Sequence, residues 1–118
     1  MSEKGNVCPS EHVEQREFVS LFRRHYPGVL IFAIPNGGMR DKVTGAKLKL
    51  EGVIPGVPDL FVPEWDLWIE MKRERGAYLS HDQKEIIERL KSIGHSVIVG
   101  RGCDDAMDQV DEFLINRL

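Results

Sequence analysis

Pro58-Asp59-Leu60-Phe61-Val62-Pro63-Glu64-Trp65-Asp66-Leu67-Trp68-Ile69-Glu70-Met71-Lys72 holds two runs of alternating character, 60–63 and 67–71, around Pro63-Glu64-Trp65-Asp66. Val, Leu and aromatic residues in alternation suit a half-buried strand, and proline with aspartate suits a turn. The stretch therefore predicts a tight antiparallel hairpin. A turn pivoting between Glu64 and Trp65 sets Asp59 opposite Glu70 and Phe61 opposite Trp68. Directly opposed residues have Cβ atoms about 4.5–5.5 Å apart. Leu60, Val62, Leu67, Ile69 and Met71 collect on the other face. Lys72 returns to the Glu70 face because side chains alternate along a strand. A slip of one residue would bury the charges, so the aliphatic face defends this register.

Two like charges directly opposed destabilise a sheet. An ordinary solvated hairpin would splay Asp59 and Glu70 into water, with Lys72 relieving the repulsion as an ion-pair partner. The aromatic neighbours and the lysine on the same face favour another use. Hard divalent ions take carboxylate and carbonyl oxygens, and a bound cation turns the repulsion into coordination. The arrangement suits a divalent metal and a phosphodiester.

At 118 residues and 42% hydrophobic content, the chain is expected to form one globular domain over 1–118, with 1–9 flexible. No apolar run approaches the roughly 18 residues of a membrane span, and the polar residues 1–6 carry no signal-peptide core, so a cytoplasmic address is expected. Cys8 and Cys103 show neither metal spacing nor a disulfide framework, and His12, His25, His81 and His95 are too scattered for zinc. A net charge of −3 argues against indiscriminate nucleic-acid binding. The distribution is uneven, however. Arg40, Lys42, Lys47 and Lys49 form one basic group and Lys72, Arg73 and Arg75 another, while Asp104, Asp105, Asp108, Asp111 and Glu112 gather the acidic excess. One basic face is permitted, although a run of charge is ordinarily just solvated surface.

Ser10 reads as the N-cap of a first helix through about His25, with Phe18, Leu21 and Phe22 at helical spacing and Pro27 beyond its end. The continuous apolar run 29–34 predicts a buried strand. Pro35-Asn36-Gly37-Gly38 is a sharp loop whose glycines let a partner approach the backbone. Residues 41–51 suit a short helix ended by Gly52, and Pro55 and Gly56 punctuate the loop 53–57. Gly76-Ala77-Tyr78-Leu79 leads into a helix from Ser80, with Ile86, Ile87, Leu90 and Ile93 as its buried stripe and Gly94 at its exit. A strand over 96–100 and a last helix over 104–117, with Ala106, Val110, Phe113 and Leu114 inward, complete the order α-β-(α)-β-β-α-β-α. That order predicts an α/β fold, a mixed sheet flanked by helices.

The succession Glu11-x-x-x-Gln15, Pro35-Asn36-Gly37-Gly38-x-Arg40, Leu48-x-x-Glu51-Gly52-Val53-x-x-Gly56-Val57-Pro58-Asp59, Glu70-Met71-Lys72 and Ser80-x-x-Gln83 resembles the VRR-NUC nucleases. These are a branch of the PD-(D/E)xK superfamily of metal-dependent phosphodiesterases. The resemblance runs from about Glu11 to about Val99 and implies a restriction-endonuclease-like core. It further implies that Asp59, Glu70 and the Met71 backbone carbonyl hold Mg2+ or Mn2+, and that Lys72 orients the attacking water or offsets charge on the phosphate. A glutamate of the first helix would complete the metal shell. Alignment with the family favours Glu11, four residues before Gln15; periodicity leaves Glu14 open, since it also lies one turn from Phe18 and Leu21. A carboxylate at Glu11 would in any case complement the helix dipole.

Gln83 has two readings: the third residue of a capping box with Ser80, or a residue reaching the active site as in the family. Asn36 and Arg40 match phosphate or metal-water contacts, against plain turn chemistry and surface charge. Arg73 and Arg75, with Lys47 and Lys49, are candidate contacts to DNA phosphates, which position without reading sequence. Small stand-alone members of the family resemble homodimeric enzymes that act on branched DNA such as Holliday junctions, in a bacterial or phage-infected cell. Two-fold junction symmetry suits an isologous dimer. The alternatives are a flap or duplex-end nuclease working with a helicase partner, a restriction-type enzyme, which no appended recognition domain supports, and a non-catalytic DNA-binding module. The last gains nothing from opposed carboxylates.

Overall fold

The computed structural model describes residues 8–35 and 42–118. The elements are α1 (Glu11–His25), β1 (Phe32–Ala33), α2 (Lys42–Leu50), β2 (Leu60–Val62), β3 (Leu67–Lys72), α3 (His81–Ser92), β4 (Ser96–Arg101) and α4 (Cys103–Asn116). They form an α/β fold around a four-stranded sheet of order β1-β2-β3-β4. β1–β2 and β2–β3 pair antiparallel, and β3–β4 pair parallel across the α3 connection. Residues 1–7, and with them most of the segment expected to be flexible, lie outside the described residues, as do Asn36, Gly37, Gly38, Arg40 and Asp41. Among the described residues no helix is long and apolar enough to cross a membrane.

The hairpin register is the expected one: Leu60 faces Ile69, Phe61 faces Trp68 and Val62 faces Leu67. Its turn is a 3-10 turn over Pro63–Trp65, closed by Asp66 at φ 47 in the left-handed region, where a short polar side chain is tolerated. Leu60, Val62, Leu67, Ile69 and Met71 are fully buried. Phe18 and Phe22 of α1 and Ala106, Met107 and Val110 of α4 share that core. Gly100 lets α4 sit close to β4, because a Cβ there would stand 2.5 Å from the Ala106 Cβ.

Ser10 caps α1, its hydroxyl accepting from the Val13 N–H at 3.2 Å. α4 starts at Cys103 behind Gly102, which has φ +95 and no side chain to offer as a cap. Glu14 supplies the missing acceptor from α1. Its buried carboxylate takes the Cys103 N–H on Oε1 at 2.8 Å. A negative charge at a helix N-terminus also complements the dipole, so this bond ties α1 to α4 at one end. At the other, the Tyr26 hydroxyl donates to Asp111. Burial, then Asp111, pushes the Tyr26 hydroxyl up to about 12.

Two expectations need correction. The run 29–34 is not a buried strand: only Phe32–Ala33 pairs, both residues are exposed, and Leu30 is exposed while Ile31 is buried. Among the described residues β1 has β2 as its one neighbour, and of the run 29–34 only Ile31 is buried. The apolar stripe of α3 shrinks to Ile87, with Ile86 and Leu90 half-buried and Ile93 exposed. α3 covers the sheet on one side only, and its C-terminal end overhangs it.

Replacing Glu14 with alanine should lower unfolding free energy by about 1–2 kcal/mol, the usual range for a lost N-cap. Glu14→Gln, which keeps an acceptor, should lose less. Urea denaturation of the two variants checks this, and an unchanged midpoint for Glu14→Ala would remove the cap from the account.

Candidate active site

Asp59 stands just before β2, where its carbonyl accepts the Ile34 N–H at 2.7 Å and continues the β1–β2 ladder. Its carboxylate turns towards β3 and accepts the Met71 N–H on Oδ2 at 2.7 Å. A strand residue directs its N–H and C=O to the same side. The Lys72 carbonyl faces β4, accepting from Gly102 N–H at 2.8 Å, so the Met71 carbonyl faces the Asp59 side. Glu70 and Lys72 share one face of β3, and both are buried. The Lys72 Nζ lies 3.8 Å from Glu70 Oε2.

Burial raises both carboxyls above their ordinary values. For Asp59, desolvation outweighs the Met71 N–H bond that opposes it. Glu70 is pushed from 4.5 up to about 8, by burial first and then by the Asp59 charge, with Lys72 opposing. The two carboxyls shift each other in opposite directions, Asp59 raising Glu70 and Glu70 lowering Asp59. An ion pair with Lys72 would keep Glu70 charged, but 3.8 Å is long for that, since charge-assisted bonds lie near 2.7–2.9 Å. The protonated form of Glu70 is therefore favoured beside Asp59 and Lys72.

Gln83 fills both roles foreseen for it. Its Oε1 accepts the Ser80 N–H at 2.8 Å, completing the capping box of α3, while its Nε2 donates to Glu70 Oε2 at 3.0 Å. Glu14 is committed to the cap of α4. Glu11 is exposed, yet its charge raises both Asp59 and Glu70, so it belongs to the same neighbourhood. Among the described residues no three His, Cys, Asp or Glu side chains are drawn together as a metal seat, so Glu11 stands outside the hydrogen-bonded pair.

The basic candidates are placed less uniformly. Lys47 and Lys49 lie exposed in the last turn of α2, and Arg75 is exposed beyond β3. Arg73 is turned back on its own loop, donating from Nε to the Arg75 carbonyl at 2.8 Å and from Nη2 to the Gly76 carbonyl at 2.9 Å. Asn36 and Arg40 lie outside the described residues.

One flanking feature was only half visible in the sequence. Phe61 and Trp68 stack with centroids 4.2 Å apart on the carboxyl face, as the register predicts. Phe32 extends the row at 5.9 Å, and the Trp68 indole N–H donates to His95 Nδ1 at 3.0 Å. No local signal links His95 to Trp68; they meet because β3 and β4 pair in parallel.

This arrangement has a counterpart. A solved structure described as a VRR_NUC domain protein matches with a TM-score of 0.73 and 25% sequence identity, over 89% of this chain and 88% of that one. The chain has the VRR-NUC domain fold. No family model and no curated protein matches it by sequence. On that fold the carboxyl pair lies on the sheet, with Asp59 just before β2 and Glu70 within β3.

The titration of Glu70 carries a consequence for stability. A carboxyl raised to about 8 on folding binds its proton more tightly than the unfolded chain does at 4.5. Stability is then fully retained below the unfolded value and lost as pH rises through the folded one. The metal-free protein should melt at progressively lower temperature between about pH 5 and 8, and Glu70→Gln should flatten that slope. Calorimetry across the range measures it; an identical slope in the variant would assign the titration elsewhere.

Proposed function

We propose that this VRR-NUC domain is a Mg2+- or Mn2+-dependent endonuclease that hydrolyses phosphodiester bonds in branched DNA, working as a homodimer in the manner of a Holliday-junction resolvase. The observation that carries the reading is the carboxyl pair of half-buried Asp59 and buried Glu70, with buried Lys72 beside it. The residues fit a hard divalent cation. Two carboxylates and the Met71 carbonyl are oxygen donors, and a cation would oppose the burial and the Asp59 charge that raise Glu70. Glu11 is the nearby carboxylate not otherwise engaged, and we assign it to the same shell.

When bound, such an ion polarises the scissile phosphate and lowers the pKa of the attacking water. Lys72 keeps an ammonium group at the pair, where it offsets charge developing on the phosphate. Gln83 holds one oxygen of Glu70. Shelter from bulk water strengthens each of these electrostatic contacts. Arg75, Lys47 and Lys49, with Asn36 and Arg40, are assigned to DNA phosphates, and Arg73 to shaping the turn that presents Arg75. The edge strand β1, with exposed Leu30 and Phe32, and the exposed Val43 and Leu50 of α2 support a contact between copies. A module that only binds DNA has no use for a buried carboxyl and a buried lysine beside a second carboxyl, which cost stability.

Purified protein with Mg2+ or Mn2+ should cut labelled four-way-junction DNA and stop on addition of EDTA. Asp59→Asn and Glu70→Gln should abolish cutting and weaken Mn2+ binding in calorimetric titration. Lys72→Ala should lower turnover about 100–1,000-fold with DNA binding retained. Glu11→Gln should impair cutting, whereas Glu14→Gln should affect stability alone; the reverse pattern would exchange their roles. A panel of duplex, flap, fork and junction DNA at one fixed salt concentration tests the branch preference, because phosphate-driven affinity falls steeply with salt. Equal rates on linear duplex, or a monomer by light scattering, would overturn the corresponding part.

A further inference from the structure

We infer that Ser80 is a positioning residue for the Asp59–Glu70 site, acting through its backbone N–H on the side-chain amide of Gln83. Its effect on cutting rests on the nuclease reading above; its effect on the amide does not. A primary amide has two unlike ends, one accepting and one donating. Glu70 alone does not choose between them, because a carboxyl accepts when ionised and donates when protonated. The Ser80 N–H does choose, since a backbone amide only donates. It gives its hydrogen to Gln83 Oε1 at 2.8 Å, which leaves the NH2 end facing Glu70 Oε2 at 3.0 Å. The Gln83 N–H returns a bond to Ser80 Oγ at 3.1 Å and holds the two residues in register. The cap of α3 thus sets the polarity of a hydrogen bond at a buried carboxyl, beyond closing a helix end.

Gly56 keeps that cap in place. A Cβ there would stand 2.5 Å from the Asp82 carbonyl oxygen and 2.9 Å from the Gln83 nitrogen. The loop that delivers Asp59 therefore rests directly on the helical turn that delivers Gln83, with no side chain between them.

Ser80→Pro and Ser80→Ala separate the N–H from the hydroxyl. Ser80 has φ −75, within the range of a proline ring, so proline removes the N–H and the hydroxyl, whereas alanine removes the hydroxyl alone. In metal-free, 15N-labelled protein the Gln83 side-chain NH2 signals, identified by their loss in Gln83→Met, should stay shifted and slowly exchanging in wild type and Ser80→Ala. In Ser80→Pro they should move to the position of a solvated glutamine. Cutting of junction DNA should fall about 10–100-fold in Ser80→Pro, the range for lost support of a metal-site ligand, and under about threefold in Ser80→Ala. Gln83→Glu, which retains a capping-box residue and loses the NH2, should lose cutting to the same extent while remaining folded. Wild-type amide signals in Ser80→Pro, equal losses in both Ser80 variants, or full cutting by Gln83→Glu would overturn the inference. If wild type itself does not cut, the nuclease reading fails and the amide spectra still decide the role of Ser80.

Discussion

Glu70 and Lys72 are buried and Asp59 is half-buried beside a hairpin whose other face is aliphatic, and folding must find partners for all three. Taking charges out of water costs several kcal/mol each even after relaxation. The chain answers with the Met71 N–H on Asp59 and with the Gln83 NH2 and the Lys72 amine at Glu70. Among the described residues no buried side-chain nitrogen or oxygen is left without a partner. Each partner constrains an element. The Met71 bond holds Asp59 against β3, and the Gln83 bond fixes where the first turn of α3 comes to rest. Moving any of these would strand a buried charge, so the site and this side of the fold are specified together.

The opposite side of the sheet is held by different means. α1 and α4 cover the aliphatic face with Phe18, Phe22, Ala106, Met107 and Val110, and polar bonds at both ends lock the two helices to each other. Glu14 is the more informative of these. It resembles the candidate metal ligand three residues earlier in type and helix, yet its carboxylate is buried against the start of α4. A first-helix carboxylate here is thus either scaffold or site according to a shift of three residues, and burial separates the two.

Features with short-range logic were legible. The register followed from side-chain alternation, since a slip of one exchanges Leu60 and Ile69 for Asp59 and Glu70 on the core face. Ser80 and Gln83 are three residues apart, so their capping box is written locally. What escaped depends on distant chain. Glu14 meets Cys103 across 89 residues, a pairing that no periodicity encodes. The run 29–34 advertises hydrophobicity and says nothing about how many strands will flank it; Leu30 and Phe32 are exposed, and β1 has one neighbour among the described residues. Ile93 continues the helical stripe of α3 past the point where there is sheet to cover. For Gln83 the capping role is the safer reading in sequence; it makes the second bond, to Glu70, with the opposite end of the same amide.

The two tryptophans stand on opposite sides of the sheet. Trp65 packs among Phe22, Tyr26 and Phe113 at the end of the core, and Trp68 lies on the carboxyl side against Phe61 and His95. The molecule therefore carries an optical label on each side. With Trp68 replaced, emission from Trp65 reports the packing of the helix pair. With Trp65 replaced, emission from Trp68, in contact with an imidazole, reports what happens on the surface beside Asp59 and Glu70. Docking there and loosening of the scaffold behind it become spectroscopically separate events in one small domain.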